Sequence, residues 1–281
     1  NDVLRNTLRK DTSLSEEDQR RRKAKAPDLT PGGLALAALA RLRVRAVQVP
    51  QNFPVGLANR LQGQGIRVQV LGEPPYPRRL VKSASEVRRI VSTLRHTELA
   101  LAAAAALLRH SRPVKNRLLL GTRPLRAEDL HRVINLSLME ANCLAAHTIV
   151  APGDQAVDPH SEGSGPIHPG EPVVIDVFPR SLDSYYFADI TRTMVRGKPS
   201  GALVRQYRAV LEGQRLALSM IRPGVSVAQV HRAVQRLFEE RGYATGEWRG
   251  RLQGFTHSTG HGVGLEIHEP PKIGKVDPAV R

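Results

Sequence analysis

An apolar run that closes on a carboxylate constrains this chain more than any other segment. Val173-Val174-Ile175-Asp176 is followed, after a Pro/Ser/Asp loop, by Ala188-Asp189-Ile190-Thr191-Arg192-Thr193. A charge at the end of such a strand is unusual unless something pairs with it, because burial strips it of water. The two segments predict a hairpin with its tip at Leu182-Asp183, which sets Asp176 directly opposite Asp189. Opposed residues in an antiparallel ladder have Cβ atoms roughly 4.5–5.5 Å apart. Carboxylates that close repel each other unless one keeps a proton or a cation sits between them, and divalent metals commonly fill that place. On the hairpin alone a blander reading stands beside this one, with Asp183 and Asp189 as turn and cap residues and Asp176 as a strand end.

A second constellation is His257-Ser258-Thr259-Gly260-His261-Gly262-Val263-Gly264-Leu265-Glu266-Ile267-His268-Glu269-Pro270-Pro271. Three of the chain's 10 histidines fall here. The interleaved glycines allow close backbone approach or positive φ, and imidazole is both a common metal ligand and the usual proton carrier near neutral pH. Glycine and proline at this density exclude the helix on which a His-Glu-x-x-His zinc site is built. His96, His110, His131 and His231 are expected on helix surfaces and receive no role.

The rest of the chain reads as α/β. Leu34 to Leu42 and Val55 to Leu61 have helical character, and Val44 to Val49 and Ile66 to Leu71 read as strands. Gly72-Glu73-Pro74-Pro75-Tyr76-Pro77 then breaks the pattern and marks a domain boundary, giving residues 1–79 and 80–281 as two domains. A long helix is predicted from a cap at Ser83 or Ser85 to about Arg109, and a second over Arg126 to Ala145. Val173-Val174-Ile175 and Tyr185-Tyr186-Phe187 are strand-like. Ala202 to Ile221 is helical, and Ser226 caps a helix over Val227 to Arg241 that Gly242 stops.

Composition narrows the function classes. The net charge of +16 raises nucleic-acid binding, but the charge is spread along the chain, only Arg20 to Lys25 forms a run, and aromatics are 4%. A basic surface explains the excess without a nucleic-acid partner. Leu99 to Leu108, the longest apolar stretch, is too short to span a bilayer. The single cysteine, Cys143, excludes an internal disulfide and fits a reducing compartment, so a cytoplasmic location is expected. No signal peptide is visible, and Asn1 in place of Met implies that the natural start lies upstream.

In order along the chain, the Val173–Asp176, Ala188–Thr193 and His257–Leu265 segments resemble the metal-site motifs of Xaa-Pro aminopeptidases (aminopeptidase P) and prolidases. Lys82-Ser83-Ala84-Ser85-Glu86 is similar to the start of that family's first catalytic-domain helix. Thr148 to Gly153, followed by Pro159-His160, is similar to a segment carrying a substrate-site histidine, and Val225 to Tyr243 to the helix before the histidine motif. The likeness runs from about Leu80 to Lys275. It implies a pita-bread catalytic domain, a fold shared with methionine aminopeptidases and creatinase, behind a partial creatinase- or prolidase-like N-terminal domain.

Carried over by position, the resemblance makes Asp176, Asp189 and His261 metal ligands. His160, His257 and His268 would line the substrate site and handle protons or polar groups. Glu266 and Glu269 flank a histidine in the family pattern and bind no metal, while Thr191 would support a ligand by hydrogen bonding. The implied cofactors are two divalent ions, manganese by the family's habit, with cobalt or zinc as alternatives. The implied chemistry is attack by a bridging hydroxide on the carbonyl of an Xaa-Pro bond, in a dipeptide or at a peptide N-terminus. The expected partner is thus a peptide with proline at the second position; a homodimer is carried as an option, since relatives often pair.

Two departures qualify the match. The Asp176–Asp189 interval is two residues longer than the family's usual spacing, an even change that keeps both side chains on one face. The family also takes two glutamate ligands from strands beyond the histidine motif, whereas this chain ends at Arg281, about where the first should begin. The catalytic domain is therefore expected to lack its C-terminal strands. Made alone, the chain is expected to bind metal weakly, to hydrolyse no Xaa-Pro peptide and to aggregate. Methionine aminopeptidase, a non-catalytic pita-bread binding module and creatinase-like hydrolysis are the rival readings.

Overall fold

The computed structural model describes residues 30–72 and 75–276, so the Arg20–Lys25 run, Glu73-Pro74 and the segment after Val276 lie outside the described residues. The chain divides between Tyr76 and Pro77 into two compact units.

In the first unit, α1 (Pro31–Arg41), β1 (Ala46–Val49), α2 (Val55–Gly63) and β2 (Arg67–Val70) alternate. Thr30 accepts the Gly33 amide through its hydroxyl and so starts α1, with Pro31 already holding a helical φ. The two strands pair in parallel, Ala46 opposite Arg67 through Val49 opposite Val70, with α2 as the crossover that a parallel pair requires. Val49, Leu61 and Ile66 are its buried apolar side chains.

The second unit opens with a 3-10 turn (Pro77–Leu80) and the long helix α3 (Ala84–His110). Ser83 begins α3 with a reciprocal cap: its hydroxyl accepts the Glu86 amide, and the Glu86 carboxylate accepts the Ser83 amide at 2.7 Å. Strands β3 (Arg112–Val114), β4 (Arg117–Leu120) and β5 (Arg123–Pro124) form a small antiparallel sheet before α4 (Ala127–Glu140). Asp129 fastens the start of α4: it accepts the Arg126 amide and receives both nitrogens of the Arg123 guanidinium at 2.7 and 2.8 Å. Those bonds hold its carboxyl below the usual range although burial opposes them.

Helix α4 ends at Glu140, five residues short of the Ala145 expected, because Asn142 takes a left-handed φ of 52° and turns the chain into β6 (Cys143–Leu144). Then come β7 (Ile149–Pro152), β8 (Pro172–Val177), β9 (Arg180–Ser181) and β10 (Ile190–Val195). Strands β10, β8 and β7 form an antiparallel sheet in that order, and β6 pairs with β9. Tyr185-Tyr186-Phe187 is not a strand. Tyr185 has φ 63° in a turn, and Tyr186 is buried with its hydroxyl donating to Glu86 at 2.8 Å.

Alternation along β8 explains the main core. Val173, Ile175 and Val177 are fully buried and pack with Ala100, Leu101, Ala104 and Leu108 of α3 and Leu130, Ile134 and Leu138 of α4. Side chains two apart share a face of a strand, so Asp176 lies on the face of β8 turned away from that core. A smaller cluster joins α5 (Gly201–Met220) and α6 (Val227–Glu240) through Ala217, Val230, Val234 and Phe255. Beyond α6 lie the exposed ribbon of β11 (Gly246–Trp248) and β12 (Arg251–Gln253), then β13 (Gly260–Gly262) paired with β14 (Glu269–Ile273). Ser226 caps α6 by accepting the Gln229 amide, and Gly242 follows it with φ 86°.

His231 departs from expectation. It is buried on α6, its Nδ1 lies 2.9 Å from the Thr259 hydroxyl, and its ring packs on Phe255.

Candidate metal centre

The hairpin of β8 and β10 carries the two aspartates in a register that corrects the one expected. Thr191 stands opposite Asp176 and Ile190 opposite Val177, so Asp189, just before β10, is a diagonal neighbour of Asp176. The tip explains the difference. Arg180 bridges Phe187, and the Ser181 amide donates to the Tyr186 carbonyl, centring the turn on Asp183-Ser184. Moving the tip by one residue moves the register by two, and an even shift leaves both carboxylates on one face. Diagonal neighbours lie roughly 7–8 Å apart at the backbone, near enough for side chains to converge. The place opposite Asp176 goes to Thr191, whose hydroxyl donates to Asp176 Oδ1 at 2.6 Å.

The histidine segment meets this pair from β13. His261 Nε2 is 3.5 Å from Asp189 Oδ2, and its Nδ1 lies 3.0 Å from the Gly262 carbonyl. That second contact assigns the proton to Nδ1 and leaves Nε2 as the donor atom for a cation. Strand β13 reaches this position because Gly262 lies against β14, where a Cβ would fall 2.7 Å from the Pro270 carbonyl oxygen. The His268 ring stands edge-on to His261, with centroids 4.4 Å apart.

Of the six residues singled out in the sequence, these four converge, and two do not join them. His160 sits after the turn Gly153–Val157 with its side chain 93% exposed and Asp158 as its ionic neighbour. His257 packs edge-on against Phe255 and places Nδ1 2.8 Å from the Ser258 carbonyl. No hydrogen bond, ion pair or ring contact joins either to the other four among the described residues. Two contributors went unread in the sequence. Lys82 was noticed only as part of a helix start, and Glu269 only as a residue beside a histidine. A carboxylate inside the short run before Pro270-Pro271 was the available signal for Glu269.

The electrostatics fit a cation. Burial, then the neighbouring Asp176 charge, pushes the Asp189 carboxyl up to about 6, with His261 opposing. Burial also raises Asp176, against the Thr191 hydrogen bond and the two histidines. Burial and the nearby His261 lower His268, keeping it neutral at pH 7. Two carboxylates that resist ionisation together, beside an imidazole nitrogen, are the donor chemistry of a hard or borderline divalent ion. Among the described residues no group of three or more His, Cys, Asp or Glu side chains is drawn together closely enough to hold a metal ion. Glu269 is not a spare ligand, because Arg79 and Lys82 occupy its carboxylate.

The description of metallopeptidase family M24 matches residues 90–280, which includes Asp176, Asp189, His261 and His268. The chain belongs to metallopeptidase family M24. Among M24 proteins, the Xaa-Pro dipeptidase of Pyrococcus furiosus is 39% identical over 137 residues, covering 48% of this chain and 36% of that protein. The Xaa-Pro dipeptidase of Pyrococcus horikoshii is 38% identical over the same length and shares. The match thus takes in little more than a third of these relatives. The fold is the M24 pita-bread fold. The prolidase structure from P. horikoshii superposes with a TM-score of 0.69 at 25% identity, over 84% of this chain and 63% of that one. The X-Pro aminopeptidase structure from Thermotoga maritima gives 0.71 at 23% identity over 90% and 66%, a likeness of fold alone. No helix among the described residues is long and apolar enough to cross a membrane.

Proposed function

We propose that this chain carries the metal-binding core of a cytoplasmic peptidase that hydrolyses the bond before proline, in Xaa-Pro dipeptides or at the N-terminus of longer peptides. The observation that carries the reading is the convergence of Asp176, Asp189 and His261, with His268 against His261, within a chain of family M24. Relatives named Xaa-Pro dipeptidase favour the Xaa-Pro branch over methionine aminopeptidase and creatinase-like chemistry. The presence of Asp176, Asp189 and His261 weighs against a binding module that has lost its ligands and catalysis.

In this reading Asp176, Asp189 and His261 would contribute to holding two divalent ions, manganese foremost and cobalt or zinc as alternatives. When bound, the ions polarise the scissile carbonyl and make water nucleophilic near neutral pH. Thr191 would orient Asp176 by donating to its Oδ1. Neutral His268 accepts or returns a proton at the substrate's polar atoms. For His160 and His257 as substrate-lining groups, and for the N-terminal unit as a creatinase-like domain, the support is the family resemblance.

The test is a substrate panel on a protein that carries the whole of this chain, with manganese added. Xaa-Pro dipeptides, Xaa-Pro-led peptides, methionine-led peptides and creatine are compared. Turnover confined to the first two, dependent on metal and lost in Asp189→Asn, is the expected result. Turnover undiminished in Asp189→Asn, or confined to methionine-led peptides or creatine, would contradict it.

A further inference from the structure

The segment between His261 and His268 carries Gly262 and Gly264, and its leucine, Leu265, is exposed. Something else fixes it, and the buried Glu269 is placed to do so. Its side chain is 5% exposed, yet it is charged, with two cations on it. Lys82 Nζ donates to Oε2 at 2.7 Å, and Arg79 Nη2 donates to Oε1. The Glu266 amide donates to Oε1 at 3.2 Å, tying the carboxylate to its own loop. Burial pushes the Glu269 carboxyl up, but the bonds from Lys82, Arg79 and the Glu266 amide outweigh it and leave it lowered, so the group is ionised at neutral pH.

Both sides of the loop are captured. Gly264 presses on the carboxylate so closely that a Cβ there would fall 2.5 Å from Oε2. The Gly264 carbonyl in turn accepts the Phe187 amide at 2.8 Å, two residues before Asp189. On the far side, Lys82 also donates to the Arg79 carbonyl at 2.6 Å, and the next residue, Ser83, caps α3. One carboxylate thus links the start of the longest helix, the loop that carries His268 and, through Gly264, the hairpin that carries Asp189.

We propose that Glu269, gripped by Lys82 and Arg79, is a positioning residue that holds the His268 ring against His261. What His268 does for a substrate rests on the reading above; where its ring stands does not. A buried carboxylate stripped of one cation keeps its desolvation cost and loses its compensation, so either half of the clamp should release the loop.

The test is proton NMR on metal-free protein that carries the whole of this chain. The wild type should show a contact between the ring protons of His261 and His268, and one between His231 and Phe255 as a report on the fold. Glu269→Gln and Lys82→Met should each lose the first contact and keep the second. Survival of the His261–His268 contact at wild-type strength in either variant overturns the proposal and leaves Glu269 a structural ion pair. If Glu269→Gln also loses the His231–Phe255 contact, Lys82→Met decides, because it removes one cation and leaves Glu269 itself in place. A separate manganese titration judges the metal reading. A protein that carries the whole of this chain and binds no manganese sinks that reading without touching the ring contact.

Discussion

The candidate site is held from two sides by opposite means. The hairpin of β8 and β10 presents Asp176 and Asp189 from a regular ladder, its inner face locked into a core of fully buried Val173, Ile175 and Val177. The histidine ribbon presents His261 from a short strand with a register shift between His261 and Gly262, and His268 from the loop just before β14, and its fixed points are hydrogen bonds and ions. The carboxylates therefore borrow rigidity from apolar burial, which is insensitive to salt. The histidines borrow it from Lys82, Arg79 and glycine geometry, where the loss of one group is felt at once. A site built this way can keep one half firm while the other adjusts to substrate.

The largest effect that would break this comparison is in the core. Ile175→Ala removes a fully buried side chain between β8 and the helices and should cost about 2–5 kcal/mol of stability, read by urea unfolding. A loss as small as that at an exposed position would mean the hairpin is not anchored by the core. Gly262→Ala comes next. Its Cβ would meet backbone oxygens of Pro270 and Glu269 at 2.7 and 2.8 Å, which cannot swing aside, and overpacking of this kind costs about 1–3 kcal/mol. The damage should be local, so His231–Phe255 contacts persist while those of His261 change.

The acid–base prediction sharpens the electrostatic half. Asp189 has a folded-state pKa raised from 3.8 to about 6, so the fold prefers its protonated form. In metal-free protein that contribution is fully present below about pH 4 and is lost as pH rises through about 6, on the order of 2 kcal/mol in all. Thermal melting of the wild type compared with Asp189→Asn should show this difference. With manganese present the slope should reverse, because proton and metal compete for one carboxylate. Smaller still is Thr191→Val, which keeps the β-branch and removes the donor to Asp176. Manganese affinity should fall by about tenfold, the lower end for a group that orients a ligand, with stability little changed.

How much of this was legible in the sequence follows the same division. Strand alternation and helix caps announced the hairpin, α3, α5 and α6, because apolar period and capping chemistry act locally. The register did not follow, since whether the turn centres on Leu182-Asp183 or Asp183-Ser184 depends on which residue takes the positive φ, and that fell to Tyr185. Its parity survived because the period is two. The end of α4 was missed for the same reason, with Asn142 making the turn. In the ribbon, the histidines and glycines were visible as a motif, but the grip of Lys82 on Glu269 spans 187 residues and leaves no local pattern. His231 was misplaced on a surface because the residue that covers it, Phe255, comes from beyond its own helix.

The central claim is that Asp176, Asp189 and His261 act together in binding divalent metal. Isothermal titration of manganese into metal-free protein that carries the whole of this chain, and into its Asp189→Asn variant, tests it most directly. The account predicts saturable binding to the wild type, loss of at least about tenfold in affinity for the variant, and matching thermal unfolding at a pH below about 4, where Asp189 is already neutral. Equal affinity in the two proteins would contradict it.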